Sequence, residues 1–135
     1  MTQSFRDLQV WRKSIQLSIS VYRLTRESPR EELYSLTSQL RRAAASTPSN
    51  IAEGQGRLGS AEIRHFLTIA RGSNFELQTQ SEIARALQFG HPQVLDEAEA
   101  MSHEVGKMIH GLLESMKSHA AVAETDDRRK LTTDH

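Results

Sequence analysis

The sequence predicts an all-α protein, an antiparallel up-down-up-down four-helix bundle, and three observations support this fold class. Four stretches repeat apolar residues at steps of three and four, which is the spacing of one helix face. The breaks between them are short and contain Pro or Gly. Aromatic residues make up only 5% of the chain and β-branched runs are nearly absent, which argues against a sheet core. The 135 residues suffice for one hydrophobic core.

The first two helices are separated by a break at residues 27–29. The first is expected over residues 5–27 with Ser4 as its N-cap, and its predicted buried face consists of Leu8, Trp11, Ile15, Ile19 and Tyr22. The second is expected to begin at Pro29, with Ser28 as its N-cap. Its predicted apolar face consists of Leu33, Leu36, Leu40, Ala43, Ala44, Thr47 and Ile51.

A proline lies inside the second predicted helix. Pro48 has no N–H and its ring clashes with the preceding turn, yet the apolar spacing continues beyond it to Ile51. We therefore expect one helix, kinked near Pro48, that ends at Gly54. Asn50 and Glu53 are predicted to pair and to satisfy the carbonyls that Pro48 frees, a structural role that we favour over catalysis.

The third helix is expected from Ser60, as N-cap, to about residue 88, with a core repeat of Ile63, Ala70, Leu77 and Ala84. Polar residues occupy its other core-facing positions and need partners if buried; they are Ser73, Asn74, Gln80 and Ser81. The fourth helix is expected to begin at Pro92, with a stripe of Val94, Ala98, Met101, Val105, Met108, Leu112 and Met116. We expect the bundle to occupy residues 1–118 and residues 119–135 to form a disordered tail.

Composition excludes several functional classes. The chain has no cysteine, so it has no disulfide, no cysteine zinc site and no thiol nucleophile. No apolar run approaches the roughly 20 residues that span a bilayer, and we expect a cytoplasmic protein with no membrane partner. We find no catalytic triad, supported carboxylate pair or cofactor fingerprint, so we expect no enzyme, no cofactor, no bound metal and no small-molecule substrate.

Charge is balanced overall but unevenly placed along the chain. Residues 1–57 carry nine basic and five acidic residues, whereas residues 91–135 carry five basic and nine acidic residues. A nucleic-acid binder is usually more basic overall. The uneven distribution fits either two helices with basic outer faces or a polarised contact surface.

Motifs spread over residues 5–118 resemble a bacterial family. The most specific is the run Pro48-Ser-Asn-Ile-Ala-Glu-Gly54, which accompanies Leu8-Gln-Val-Trp11 and the stretch 36–44. The combination is similar to the four-helix-bundle family of 23S rRNA intervening-sequence proteins. The positions that we assign to the family signature, with structural roles, are Pro48, Asn50, Glu53, Gly54, Gly56, Gly72, Ser73 and Glu76.

The resemblance implies a homopentameric ring, a gene linked to insertions in rRNA genes, and a biochemical role that is unsettled. A related branch, the accessory proteins of diversity-generating retroelements, is markedly basic and binds a reverse transcriptase and nucleic acid. This chain departs from that branch by being neutral. It also carries Thr47, Asn74 and Ser81 where the family typically has apolar residues, which makes core or interface positions more polar.

Six arginines are the candidate contacts for a neighbouring subunit or for nucleic acid: Arg41, Arg42, Arg57, Arg64, Arg71 and Arg85. The last four follow a spacing of seven along the third helix, with Gln78 in the gap, and therefore form one stripe. Glu62 and Glu76 lie on roughly the opposite side, and opposed charges suit a head-to-tail contact that closes a ring. Arginine also suits phosphate, and a solvated helix with scattered charges is the third interpretation.

The predicted function is accordingly a homo-oligomeric scaffold or adaptor, with self as its partner. The alternative is an accessory protein that binds RNA or DNA through the arginine stripe, or that contacts a nucleic-acid enzyme. Arg41 and Arg42 flank a run of alanines that permits close helix packing, where they are expected to reach a carboxylate such as Glu53 or Glu76, or an RNA.

Overall fold

The computed structural model describes residues 4–26 and 34–133, with side chains as far as Lys117. A short 3-10 turn, Phe5–Asp7, precedes four α-helices: α1 (Gln9–Thr25), α2 (Tyr34–Gln55), α3 (Ser60–Ala86) and α4 (Pro92–Thr133). Over the described residues there is no β-strand, which confirms the predicted all-α class. α1 and α3 each pack against both α2 and α4, so the core lies between the four helices.

Two helix starts differ from prediction for local reasons. The Ser4 hydroxyl accepts the Arg6 N–H at 3.2 Å, but this caps the 3-10 turn, and the extended backbone of Leu8 delays the start of α1 to Gln9. At α3 the N-cap is Gly59, so Ser60 is already helical. The predicted start of the second helix at Ser28–Pro29 lies outside the described residues.

The buried face of α1 agrees only in part with the predicted one: Leu8 and Trp11 are partly buried and pack against the core, as expected. Its core residues are Val10, Leu17, Val21 and Leu24, and the small polar residues Ser14 and Ser20 are buried as well. Ile19 and Tyr22, predicted to be core, are 47% and 46% exposed. α1 carries two neighbouring apolar stripes, and it buries the one that faces both α2 and α4 because small serines on that side let the helices approach closely.

Three of the four polar residues predicted in the seam of α3 are buried and hydrogen-bonded: Ser73, Asn74 and Ser81. The fourth, Gln80, is partly buried, and its Oε1 has no hydrogen-bond partner among the described residues. Asn74 is fully buried: its Nδ2 donates to the Ser102 carbonyl at 2.9 Å, and its Oδ1 accepts the Ser102 hydroxyl at 2.7 Å. Gln78 Nε2 donates to the same hydroxyl at 3.1 Å. A Cβ on Gly106 would come within 3.2 Å of Asn74 Nδ2, so this glycine leaves room for the amide. The pairing fixes the register of α3 against α4.

Pro48 is accommodated inside α2 by a donor from another helix. A residue at position 48 would normally donate its N–H to the carbonyl of Ala44, and proline has none. Ala44 is fully buried, and the Ser18 hydroxyl of α1 donates to its carbonyl at 2.7 Å. The donor is therefore Ser18, rather than the Asn50–Glu53 pair suggested by the sequence.

The backbone of α4 continues as helix through Thr133, whereas the sequence predicts a disordered tail over residues 119–135. Residues 119–133 contain no Gly or Pro and include Ala, Glu, Arg and Lys, which are strong helix formers. Loss of the apolar stripe in the sequence does not by itself end a helix. The boundary of the bundle at residue 118 stays a prediction.

Ser18→Ala is expected to lower the free energy of unfolding by about 1–3 kcal/mol, because the buried Ala44 carbonyl then lacks a donor. Urea denaturation followed by circular dichroism measures this. Ser49→Ala is the matched control, with an expected change of about 0.5 kcal/mol or less, since Ser49 is exposed and bonds only back to the Ala45 carbonyl. In a Pro48→Ala background the N–H returns, so an undiminished cost of Ser18→Ala there would contradict the assignment.

Ser102→Ala is expected to cost about 1–3 kcal/mol, because the buried Asn74 Oδ1 loses its donor. Ser81→Ala is the control, since Ser81 is also buried but bonds to the Leu77 carbonyl of its own helix. Adding Asn74→Leu to Ser102→Ala should recover stability in the same urea experiment. A double variant less stable than Ser102→Ala alone would show that the network is not the source of the loss.

Candidate interaction surfaces

The two ends of the arginine stripe are neutralised within the protein. Arg57 donates to the carboxylate of Glu53, one helical turn away, and its guanidinium lies 4.9 Å from the centre of the Phe66 ring. Arg85 donates to Glu99 at 2.7 Å and to Asp96 at 2.8 Å. These hydrogen bonds, first to Glu99 and then to Asp96, raise the pKa of Arg85 above its ordinary value. Arg57 therefore connects α2 with α3, and Arg85 connects α3 with α4.

The centre of the stripe is free. Arg64 and Arg71 are half-buried, and their guanidinium groups make no hydrogen bond or ion pair within the part of the chain that the structure describes. They border a shallow groove of about 470 Å³ between α3 and α4, which we call the α3–α4 groove; it is lined by Arg64, Thr68, Arg71, Leu113, Glu114 and Lys117, together with Ala61 and His65. Three cations face one carboxylate there, so the groove is basic although the chain is neutral.

Arg41 and Arg42 lie away from that groove. Arg41 Nε donates to the Thr25 hydroxyl at 2.8 Å, and its guanidinium stands 4.6 Å from the centre of the Tyr22 ring. Arg42 donates to the Gln39 side chain at 2.7 Å. Both therefore have neutral partners inside the chain, and their guanidinium charges are not compensated by a carboxylate in these contacts.

Half of the signature residues meet where α2 packs on α3. Asn50 Nδ2 donates to the Ser46 carbonyl at 2.8 Å and to its hydroxyl at 3.0 Å, and the Ser46 and Ser73 hydroxyls lie 2.9 Å apart. A Cβ on Gly54 would come within 3.1 Å of Phe66 Cβ, so this glycine permits the close approach of α3. Together with the buried ring of Pro48, these contacts make the Pro48 motif a helix-packing device.

The remaining signature residues lie on the outside: Glu53, Gly56, Gly72 and Glu76 are all exposed. A Cβ added at Gly72 would meet nothing within 4 Å, so packing inside the protomer does not require glycine there. Glu76, like Glu62 on the same helix, pairs with no other residue in the described part of the chain. Both carboxylates are therefore available to a partner outside the protomer.

The outer face of α3 carries large apolar side chains that sequence reasoning missed. Ile69 and Ile83 are 39% and 46% exposed, and Phe75 is 54% exposed. All three fall outside the repeat of Ile63, Ala70, Leu77 and Ala84, and that mismatch is the signal that could have identified them as surface residues. Lys117, the α4 cation of the groove, was missed because it follows no pattern in the sequence.

Two kinds of site are not found. No group of three or more His, Asp or Glu residues is arranged to hold a metal ion among the described residues. None of the helices, over that same part of the chain, is both long enough and apolar enough to cross a membrane.

Comparison with known proteins shows the family of this chain and a likeness in fold to a solved structure. The family model described as 23S rRNA-intervening sequence protein matches residues 6–111. A crystal structure of a protein of unknown function from Bacteroides thetaiotaomicron, described as from the S23 ribosomal protein family, is similar in fold, with a TM-score of 0.70. The two share 18% sequence identity over 77% of this chain and 97% of the other. A comparison with curated proteins gives no match.

Proposed function

Because this chain belongs to the 23S rRNA-intervening sequence protein family, we propose that it is a non-enzymatic, homo-oligomeric helical bundle that scaffolds or adapts a partner. A ring of five copies is the assembly that the family resemblance implies, and a cytoplasmic location stays a prediction from the sequence. The proposal is supported first by the outer surface of α3.

The single observation that carries the proposal is the exposure of Ile69 and Ile83, which alternate with Glu62 and Glu76 at a spacing of seven along one stripe of α3. Ile69 and Ile83 are fourteen residues apart, about 21 Å along the helix, and both are about half-exposed in the protomer. The open space at Gly72 allows a second helix to approach between them. Covering two half-exposed isoleucines contributes on the order of 1–3 kcal/mol to each contact.

Charge supports a head-to-tail arrangement of the copies. Glu62 and Glu76 are unpaired on one flank of α3, and Arg64 and Arg71 are unpaired on the other. A contact between the acidic flank of one copy and the basic flank of the next uses different surfaces on each partner. Repeated contacts of this heterologous kind generate closed rings when the rotation between copies closes.

Within each protomer we infer the up-down-up-down order with antiparallel neighbours. Contacts between α3 and α4 support it, because Asn74 pairs with Ser102 whereas Arg85, later in α3, pairs with Asp96, earlier in α4. A bend of α2 near Pro48 belongs to the same proposal. It is supported by the diversion of the Ala44 carbonyl to a donor outside the helix.

The variant Ile69→Glu/Ile83→Glu is expected to dissociate the oligomer, because each contact would bury two new carboxylates. Size-exclusion chromatography with light scattering at micromolar concentration should change from a multiple of 15.2 kDa to a single protomer. Leu58→Glu is the control, since Leu58 is fully exposed in the α2–α3 connection. A wild-type protein that is monomeric in this measurement would refute the proposal.

Nucleic-acid binding is the second candidate function, and the unpaired Arg64 and Arg71 are the observation that favours it. Buried or compensated arginines contribute little to phosphate binding, whereas these two face an open groove beside Lys117. Release of counterions from phosphates by such side chains gives affinity that falls steeply with salt. Arg57 and Arg85 are not part of this candidate site, since each is already bound to carboxylates.

Arg64→Gln/Arg71→Gln is expected to weaken binding of labelled RNA and DNA, and to reduce the slope of log affinity against log salt by about two. Fluorescence anisotropy between about 50 and 200 mM salt measures both quantities. Arg57→Gln/Arg85→Gln removes the same charge from paired positions and is the matched control. If both double variants weaken binding equally, the effect is one of net charge and the assignment of the groove fails.

A further inference from the structure

Phe75 is the one phenylalanine on α3 whose ring projects largely into solvent. It is 54% exposed, whereas Phe66 on the same helix is partly buried against α2 and Arg57. No aromatic or cationic side chain among those described contacts the Phe75 ring. More than half of the Phe75 side chain is therefore accessible to a partner outside the protomer.

Phe75 lies on the same helical face as the two free arginines. Arg64, Thr68, Arg71 and Phe75 follow steps of four, three and four, which places them in one line along α3. The line is about 16 Å long from Arg64 to Phe75 at 1.5 Å per residue. It therefore presents two cations, a hydroxyl and an aromatic face in sequence, with Lys117 of α4 beside the cations.

We propose that this line binds a single strand of RNA or DNA, with phosphates at Arg64, Arg71 and Lys117 and one base stacked on the Phe75 ring. The proposal rests on the second candidate function and names the form of nucleic acid that this groove would take. Arginine and lysine neutralise phosphates, and a stacked base gains affinity on an aromatic ring without regard to sequence. The Thr68 hydroxyl already donates to the Arg64 carbonyl, so it bonds the helix rather than a phosphate.

The aromatic ring favours a single strand over a duplex. In a duplex each base face is covered by its neighbours, so an exposed phenylalanine finds no base to stack on. A duplex also lays phosphates of two strands over a broad surface. Here the basic line is narrow, because Glu114 lines the groove on the α4 side and exposed Glu82 follows two turns beyond Phe75. A single flexible strand can follow the line and avoid both carboxylates.

The test compares Phe75→Ala with Tyr34→Ala in the full chain. The probes are fluorescently labelled uridine and thymidine single strands of about twelve nucleotides and a duplex of equal length, because one single-strand binding module covers about this many nucleotides. We expect wild type to prefer the single strands. Phe75→Ala should weaken single-strand binding about 5- to 150-fold and leave duplex binding unchanged. Tyr34→Ala removes an aromatic ring that is 74% exposed on α2 and should change neither.

A second variant gives an independent readout of stacking. Phe75→Trp should retain single-strand affinity, and its added fluorescence should be quenched when either strand binds. The uridine and thymidine strands identify whether RNA, DNA or both act as the ligand through this face. If the fluorescence of Phe75→Trp is quenched on binding but adding Arg64→Gln/Arg71→Gln does not lower the affinity, the assignment of phosphates to these arginines is refuted.

The outcomes separate this inference from the function on which it rests. In one outcome Arg64→Gln/Arg71→Gln abolishes binding, Phe75→Ala has the wild-type affinity for single strands, and the duplex binds as tightly as the single strands. This outcome refutes base stacking on Phe75 but is consistent with nucleic-acid binding. No binding of any of the three probes at about 50 mM salt overturns both. A change of oligomer mass on Phe75→Ala, with strand affinity intact, assigns the ring to a protein contact and also overturns the inference.

Discussion

The missing N–H of Pro48 is the constraint around which the bundle is arranged. It leaves the Ala44 carbonyl, deep in the core, without a donor from its own helix, and the Ser18 hydroxyl of α1 supplies one at 2.7 Å. An unsatisfied carbonyl there would cost about 1–3 kcal/mol, a substantial part of the roughly 5–15 kcal/mol by which a typical domain is stable. On either side of Pro48, the Ser46 hydroxyl contacts the Ser73 hydroxyl of α3 and Asn50 donates to Ser46. The missing backbone hydrogen bond in α2 therefore lies where α2 contacts both α1 and α3.

Because the polar groups at the centre of the bundle are paired with one another, binding to partners depends on the outer surface. There the arginines differ in whether a carboxylate of the same chain already pairs with them. Arg57 and Arg85 are bound to carboxylates of the same chain and act as struts. Arg64 and Arg71, at the same spacing and of the same residue type, have no such partner and face the α3–α4 groove. Four residues that are indistinguishable as a pattern therefore have two different physical roles. Arg64 and Arg71 are the basic flank of the proposed subunit contact and also the proposed phosphate contacts, so a neighbouring copy and a strand would compete for these two side chains.

The sequence predicts well what depends on local chemistry. The breaks between α2 and α3 and between α3 and α4, the continuity of α2 through Pro48 and the burial of Leu40, Ile51 and Leu77 all follow from periodicity and from proline and glycine. It predicts poorly what depends on which neighbour a helix meets. α1 carries two adjacent apolar stripes, and only its contacts with α2 and α4 decide that Leu17 is buried and Ile19 is not. The partner of Ala44, and the carboxylates that reach Arg85 from α4, are likewise set by tertiary contacts that a linear pattern does not contain.

The buried Asn74–Ser102 pair also restricts how this protein can diverge in evolution. Each side chain satisfies the other, and Gly106 leaves the space that the amide occupies. A change at either position alone strands a polar atom in the core, whereas an apolar residue at both positions removes the need for the bond. Substitutions at 74 and 102 are therefore expected to be correlated among relatives, with Gly106 free to change only in the lineages that have lost the asparagine. For the same reason, a recombinant gene that combines α3 from one such lineage with α4 from the other is expected to encode a poorly folding protein.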